Sequence, residues 1–186
     1  MNFKEPIEEN IAFEFGYFLE NTEELVIINR DSSLIKKQLP RIKAKVIKVS
    51  KQEHLQKYII NKDFTEFKID GRIYKFNCLL PEESFYQIMS TLKLIEYFNF
   101  PLDASFAKFK LPPGRSSIFK GIKNTTLIDS SYNANLSSMK VILNMFNKIP
   151  VSNKWVVLGD MLEQGGEEQS EHEKLAEVIS KYNFKK

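Results

Sequence analysis

Cysteine is almost missing from this 186-residue chain: Cys78 stands alone, so no internal disulfide or cysteine-based zinc framework is encoded. A reducing compartment, the cytoplasm, is therefore the expected location. Histidine is nearly as scarce, with His54 and His172 far apart and lacking the His-x-x-x-His spacing of a metal site, so no metal ligand is expected from them. No apolar run approaches the roughly 18 to 20 residues of a membrane span, and Met1-Asn-Phe-Lys-Glu-Pro has no apolar signal core, so no membrane partner is expected. Glycine and proline number seven each and never gather into a long linker, and no repeat is visible at a solenoid period. The dipeptide Gly-Lys does not occur, which excludes a phosphate-binding loop of the Gly-x-x-x-x-Gly-Lys-Ser/Thr type. Charge of one sign is lacking too: 27 Lys and Arg face 24 Asp and Glu, and the net +3 is too dispersed to argue for nucleic acid.

What the chain does have is apolar and aromatic content, 42% and 12%, with 15 Phe, enough to bury a core. Apolar residues at Ile11, Phe15, Phe18 and Leu19 predict a partly buried helix from Ile7 to about Glu20. The run Leu25 to Asn29 reads as a buried strand, Ser32 to Leu39 as a helix stopping at Pro40, and Ala44 to Val49 as the next strand, an order that predicts a parallel α/β unit. Alternation on both sides of Asp70-Gly71 predicts a hairpin with a two-residue turn. Beyond Pro81 a long helix is expected over Glu82 to Phe98, then a short helix around Ala104 to Phe109. After Pro112-Pro113-Gly114 the pattern restarts as strand (Thr125 to Ile128), helix (Leu136 to Phe146), strand (Trp155 to Leu158) and helix (Gln169 to Tyr182). The expected organisation is thus α/β, with one domain over residues 1–113 and a second, partial one over 114–186. A monomer is the expected state.

Several short motifs carry little. Ser-x-x-Lys occurs at Ser33–Lys36 and again at Ser137–Lys140 without the companion motifs of a serine nucleophile, and both read as helix surface. Asn124-Thr125-Thr126 and Asn135-Leu136-Ser137 match the glycosylation pattern, which a chain without a signal peptide does not use. Arg115, after a glycine in a tight turn, offers a guanidinium fork suited to a phosphate or an acyl phosphate; the alternative is an ordinary surface arginine. Asp129 ends an apolar strand, where a carboxylate either accepts ribose hydroxyls or caps the next turn. Asn135 is placed to cap the following helix, with direct ligand contact as the alternative.

The run LPPGRSSIFKGIKNTTLIDSSYNANLSSM from Leu111, followed about a helix later by WVVLGDMLEQG, resembles the Mur ligase family. Within it, the Ser-Tyr-Asn-Ala-Asn segment is similar to members that join D-alanyl-D-alanine to UDP-N-acetylmuramoyl-tripeptide. The resemblance implies the end of a central ATPase domain, a mixed sheet with a hairpin, followed by a partial Rossmann-like C-terminal domain. It also implies an ATP- and Mg2+-dependent carboxylate–amine ligase of peptidoglycan precursor synthesis, working through an acyl phosphate.

By that resemblance Arg115 is catalytic, and Asp129, Ser130, Tyr132, Asn133 and Asn135 belong to the nucleotide site. Because Asp129-Ser130 stands where the family commonly has two Asp, either residue can face the ribose. Asp160, Glu163 and His172 are implied to meet the dipeptide. Two departures stand out. Phe15 occupies the place of a family lysine that helps hold a second magnesium, and Pro81-Glu82-Glu83-Ser84-Phe85-Tyr86 replaces the Gly-Arg-His-Asn segment beside the adenine. With the phosphate loop absent as well, the chain alone is expected to be inactive, and a non-catalytic α/β binding module derived from such a ligase is the alternative.

Overall fold

A computed structural model describes residues 7–106, 108–162 and 165–185. The chain divides into two compact units: one runs to Gln56 and includes Ile69–Gly71 and Ser84–Asp103, while the other holds Lys57–Lys68, Arg72–Glu83 and the chain from Ala104 onward.

In the first unit, β1 (Leu25–Asn29) and β2 (Lys45–Val49) pair in parallel, from Leu25 opposite Lys45 to Asn29 opposite Val49. The crossover between them contains α2 (Ser33–Gln38), whose first turn is capped by the Ser32 hydroxyl accepting from Ile35 N at 3.4 Å. This is the parallel unit that the strand–helix–strand order predicts. α4 (Phe85–Tyr97) packs on both strands, and Phe85, Met89, Val26, Ile28 and Val49 are buried. Full burial stabilises each large apolar side chain by about 1.5–3 kcal/mol. β1 buries only alternate residues rather than both faces. α1 (Ile7–Glu20) packs on α2 with Ala12 buried, leaving Phe13, Phe15, Tyr17 and Phe18 exposed.

Two elements escape the sequence pattern here: a single helical turn α3 (Lys51–His54) and strand β3 (Leu55–Ile60). The strand joins a three-stranded sheet of order β3-β4-β5 with β4 (Thr65–Ile69) and β5 (Arg72–Phe76). Asp70 and Gly71, at φ 47° and 81°, close the expected hairpin in the left-handed geometry that an Asp-Gly turn accepts.

In the second unit, buried Thr65 ties the sheet to the chain after it, its hydroxyl donating to Cys78 O at 2.9 Å and accepting from Leu80 N at 2.9 Å. The expected helix near Ala104 to Phe109 is absent among the described residues. Phe106 takes φ 48°, which breaks a helix, and its ring stacks on Phe76 at 4.5 Å. Aromatic docking on β5 overrides local helix periodicity.

Farther along, β6 (Ser117–Lys120) and β7 (Thr126–Asp129) form an antiparallel pair. β7 matches the expected strand, whereas β6 lies in what reads as boundary sequence. α5 (Leu136–Lys148) and α6 (Glu168–Ser180) pack together around Leu136, Leu143, Met161 and Leu175. Ile60, Leu79, Met145 and Ile149 make a second core that Ile128 of β7 joins. The strand expected over Trp155 to Leu158 does not form: Trp155 makes one isolated parallel bridge to Lys185, and Val157 is 97% exposed. A parallel strand needs a neighbouring ladder, and among the described residues none lies alongside.

Candidate functional site

The antiparallel pairing of β6 and β7 sets Ser117 opposite Asp129, and so brings the turn before β6 against the loop after β7. That turn is tightly held. Gly114 takes φ 72°, its N–H donates to the Ser117 hydroxyl at 3.2 Å, and Arg115 N donates to Pro112 O at 3.3 Å. Tyr132 N donates across to Gly114 O at 3.2 Å. A Cβ on residue 114 would stand 3.2 Å from the Tyr132 Cβ, so both the space and the left-handed backbone favour glycine.

Two of the residues expected in the site, Arg115 and Tyr132, meet here. The Arg115 guanidinium carbon lies 4.7 Å from the centre of the exposed Tyr132 ring, a cation–π stack. Asp129 is half-buried, and its Oδ1 accepts from Ser131 N at 3.0 Å, which shapes the turn. Ser130 is half-buried beside it. Asn133 is exposed at φ 49°. Asn135 is the helix cap: Oδ1 accepts from Ser138 N at 2.9 Å, and the Ser138 hydroxyl accepts from Asn135 N at 3.1 Å, a reciprocal box at the start of α5.

A second group forms where the 155–162 segment meets α6. His172 places Nδ1 2.8 Å from Glu168 O and Nε2 2.8 Å from Asp160 Oδ1, while Met161 N donates to the same Asp160 oxygen at 2.9 Å. Both imidazole nitrogens face acceptors, an arrangement that only the doubly protonated ring satisfies. The Glu168 carbonyl bond, with help from Asp160, holds the His172 pKa above its ordinary value although desolvation opposes this. Asp160, His172, Glu168, Gln169 and Glu173 line an open cavity of about 680 Å³. Glu163, expected to join them, lies outside the described residues.

In the first unit, Asp31 at the carboxyl end of β1 gathers partners that spacing does not reveal. Its carboxylate accepts from the Ser50 hydroxyl at 2.8 Å, Lys51 N at 2.7 Å and the Tyr86 hydroxyl at 2.8 Å. Desolvation works to raise its pKa, but these bonds and the charge of Lys36 hold it below the ordinary carboxylate value. Phe85, within the segment that replaces the family's Gly-Arg-His-Asn, is fully buried, and its neighbour Tyr86 makes this bond. An aspartate two residues past an apolar strand was the available signal.

Residues 114–184 match the family model described as Mur ligase, glutamate ligase domain. The chain belongs to the Mur ligase family. Its curated relatives are UDP-N-acetylmuramoyl-tripeptide–D-alanyl-D-alanine ligases. One, from Rickettsia prowazekii (strain Madrid E), is 31% identical over 134 residues, 70% of this chain and 28% of the relative. Another, from Escherichia coli (strain K12), is 34% identical over 77 residues, 41% of this chain and 17% of the relative. The chain thus matches less than a third of either relative's length. In fold it is similar to MurF ligase from Thermotoga maritima in complex with ADP, at TM-score 0.73 and 19% identity over 88% of this chain and 39% of that one. It is likewise similar to MurF from Acinetobacter baumannii, at TM-score 0.71 and 14% identity over 86% and 37% of the two chains.

The residues fit the two expected small-molecule groups unequally. The stacked Arg115 and the strand-end Asp129 suit a nucleotide's phosphate and ribose. Among the described residues no group of three or more His, Cys, Asp or Glu could hold a metal ion, and the Phe15 ring offers no ligand atom. No helix among the described residues is long and apolar enough to cross a membrane.

Proposed function

We propose that this chain is part of an ATP-dependent ligase that joins D-alanyl-D-alanine to UDP-N-acetylmuramoyl-tripeptide in the cytoplasm, acting as a monomer. The observation that carries the reading is the Arg115–Tyr132 stack at the head of the loop leaving β7, in the segment that matches the ligase family. In this reaction the substrate carboxylate takes the terminal phosphoryl group of ATP, releasing ADP, and the amine of the dipeptide then displaces phosphate and loses a proton. Arg115 holds phosphate charge, which is how a positioned cation lowers the barrier to such transfers. Asp129 or Ser130 meets the ribose, with Tyr132 and Asn133 beside it, while Asn135 serves mainly as the helix cap. Asp160, Glu163 and His172 meet the dipeptide, a role to which the cavity beside Asp160 and His172 lends support. The domain boundary falls between residues 113 and 114, and the start of the family match at residue 114 supports it.

The 186-residue chain alone should release no phosphate from ATP, since its sequence has no Gly-Lys phosphate loop. Fusion to the part of the Rickettsia prowazekii ligase that precedes the matched segment should restore turnover dependent on tripeptide precursor and D-alanyl-D-alanine. In that fusion Arg115→Ala should lower kcat by about tenfold or more. A second reading, a non-catalytic module derived from a Mur ligase, is favoured by Phe15, whose ring is exposed on α1 where the family carries lysine. A folded fusion that binds ADP yet never turns over would establish it.

A further inference from the structure

We propose that Tyr132 is the positioning residue for Arg115, holding its guanidinium ready for nucleotide phosphate before any ligand arrives; this rests on the nucleotide reading given above. An arginine side chain has much rotamer entropy to lose, so one on an unsupported turn binds an anion only after being ordered. Here the backbone is already fixed, through Arg115 N to Pro112 O, Gly114 N to the Ser117 hydroxyl and Tyr132 N to Gly114 O.

The side chain is fixed by the ring. The guanidinium carbon lies over the ring at 4.7 Å; a guanidinium held by its face keeps its N–H donors available at its edge, and among the described residues no hydrogen bond or ion pair engages those of Arg115. Gly114 belongs to the same device, because a Cβ there would press on Tyr132 at 3.2 Å. The tyrosine hydroxyl has no part in it, so phenylalanine should serve as well.

The test uses the ligase fusion described above, which supplies the phosphate loop this sequence lacks, with ADP as the probe in calorimetric titration. The Arg115 Nε–H resonance, shifted upfield when the group lies over an aromatic face, reports the stack directly. Tyr132→Phe should keep both the shift and the affinity. Tyr132→Leu should abolish the shift and weaken ADP roughly two- to fivefold, the value of an exposed cation–π contact, while Arg115→Ala should weaken it roughly tenfold or more. Joined to Arg115→Ala, Tyr132→Leu should add nothing, because the ring acts only through the arginine. A further loss in that double variant would mean that Tyr132 touches ADP itself and would overturn the proposal. An unshifted Arg115 resonance in the parent, or Tyr132→Leu binding like the parent where Arg115→Ala does not, would also overturn it while leaving the nucleotide reading intact. Failure of the parent to bind ADP with the shift present would instead overturn the nucleotide reading, and this role with it.

Discussion

His172 Nε2 stands 2.8 Å from Asp160 Oδ1, joining the fifth residue of α6 to the loop that follows the Trp155 bridge. The pair anchors a segment that has no strand ladder of its own. Because Nδ1 simultaneously meets Glu168 O at 2.8 Å, the anchor depends on the ring's charge.

The pH dependence follows from that charge. The Glu168 carbonyl bond, reinforced by Asp160, raises the folded-state pKa of His172 above 6.5, so its stabilisation is complete below the unfolded value and is lost as pH rises through the folded one. Proton NMR should place the His172 titration above pH 6.5, and thermal melts should show a loss of stability across that window that His172→Gln removes. A titration at or below the ordinary value would show that the two acceptors do not hold the imidazolium.

The Asn135 cap is measurable by itself. Asn135→Ala removes the Oδ1 acceptor of the Ser138 amide at the start of α5, leaving the backbone half of the box, and should cost about 0.5–2 kcal/mol in chemical denaturation. Asn135→Ser should recover most of it, since a serine hydroxyl can accept from the Ser138 amide.

Ribose recognition separates two neighbours. If Asp129 accepts the hydroxyls, Asp129→Ala removes a charge-assisted bond worth about 1.5–3 kcal/mol, and ADP affinity by calorimetry should fall roughly tenfold or more, with Ser130→Ala nearly silent. The reverse ranking would assign the ribose to Ser130.

Thr65 tests the sheet in the second unit. It is fully buried and serves Cys78 O and Leu80 N through one hydroxyl, so Thr65→Val keeps the shape but strands both backbone groups. Equilibrium unfolding should show a loss of about 1–3 kcal/mol per stranded group. Thr65→Ser should lose less.

Local chemistry made much of this chain legible. The Asp-Gly turn, the asparagine before α5 and the alternation of the hairpin state their structures within a few residues, because left-handed turns, caps and pleats are short-range demands. The proposed site residues Arg115, Asp129 and Tyr132 are picked out only through the family motif that they resemble, and the register of Ser117 with Asp129 is what places the arginine turn beside the tyrosine loop.

Other features needed distant partners. β3, with Leu55, Tyr58, Ile59 and Ile60 among its six residues, is not set off by any local turn signal and becomes a strand because β4 offers it a ladder; Trp155 to Leu158 reads as a strand and stays irregular where, among the described residues, no such ladder lies alongside. The three bonds to Asp31 come from residues 19, 20 and 55 positions away. The sequence by itself determined where the chain turns, caps and alternates. Only the tertiary structure decided which strands pair and which charges are held, because hydrogen-bond ladders and carboxylates such as Asp31 are satisfied by groups that the chain's own neighbours do not supply.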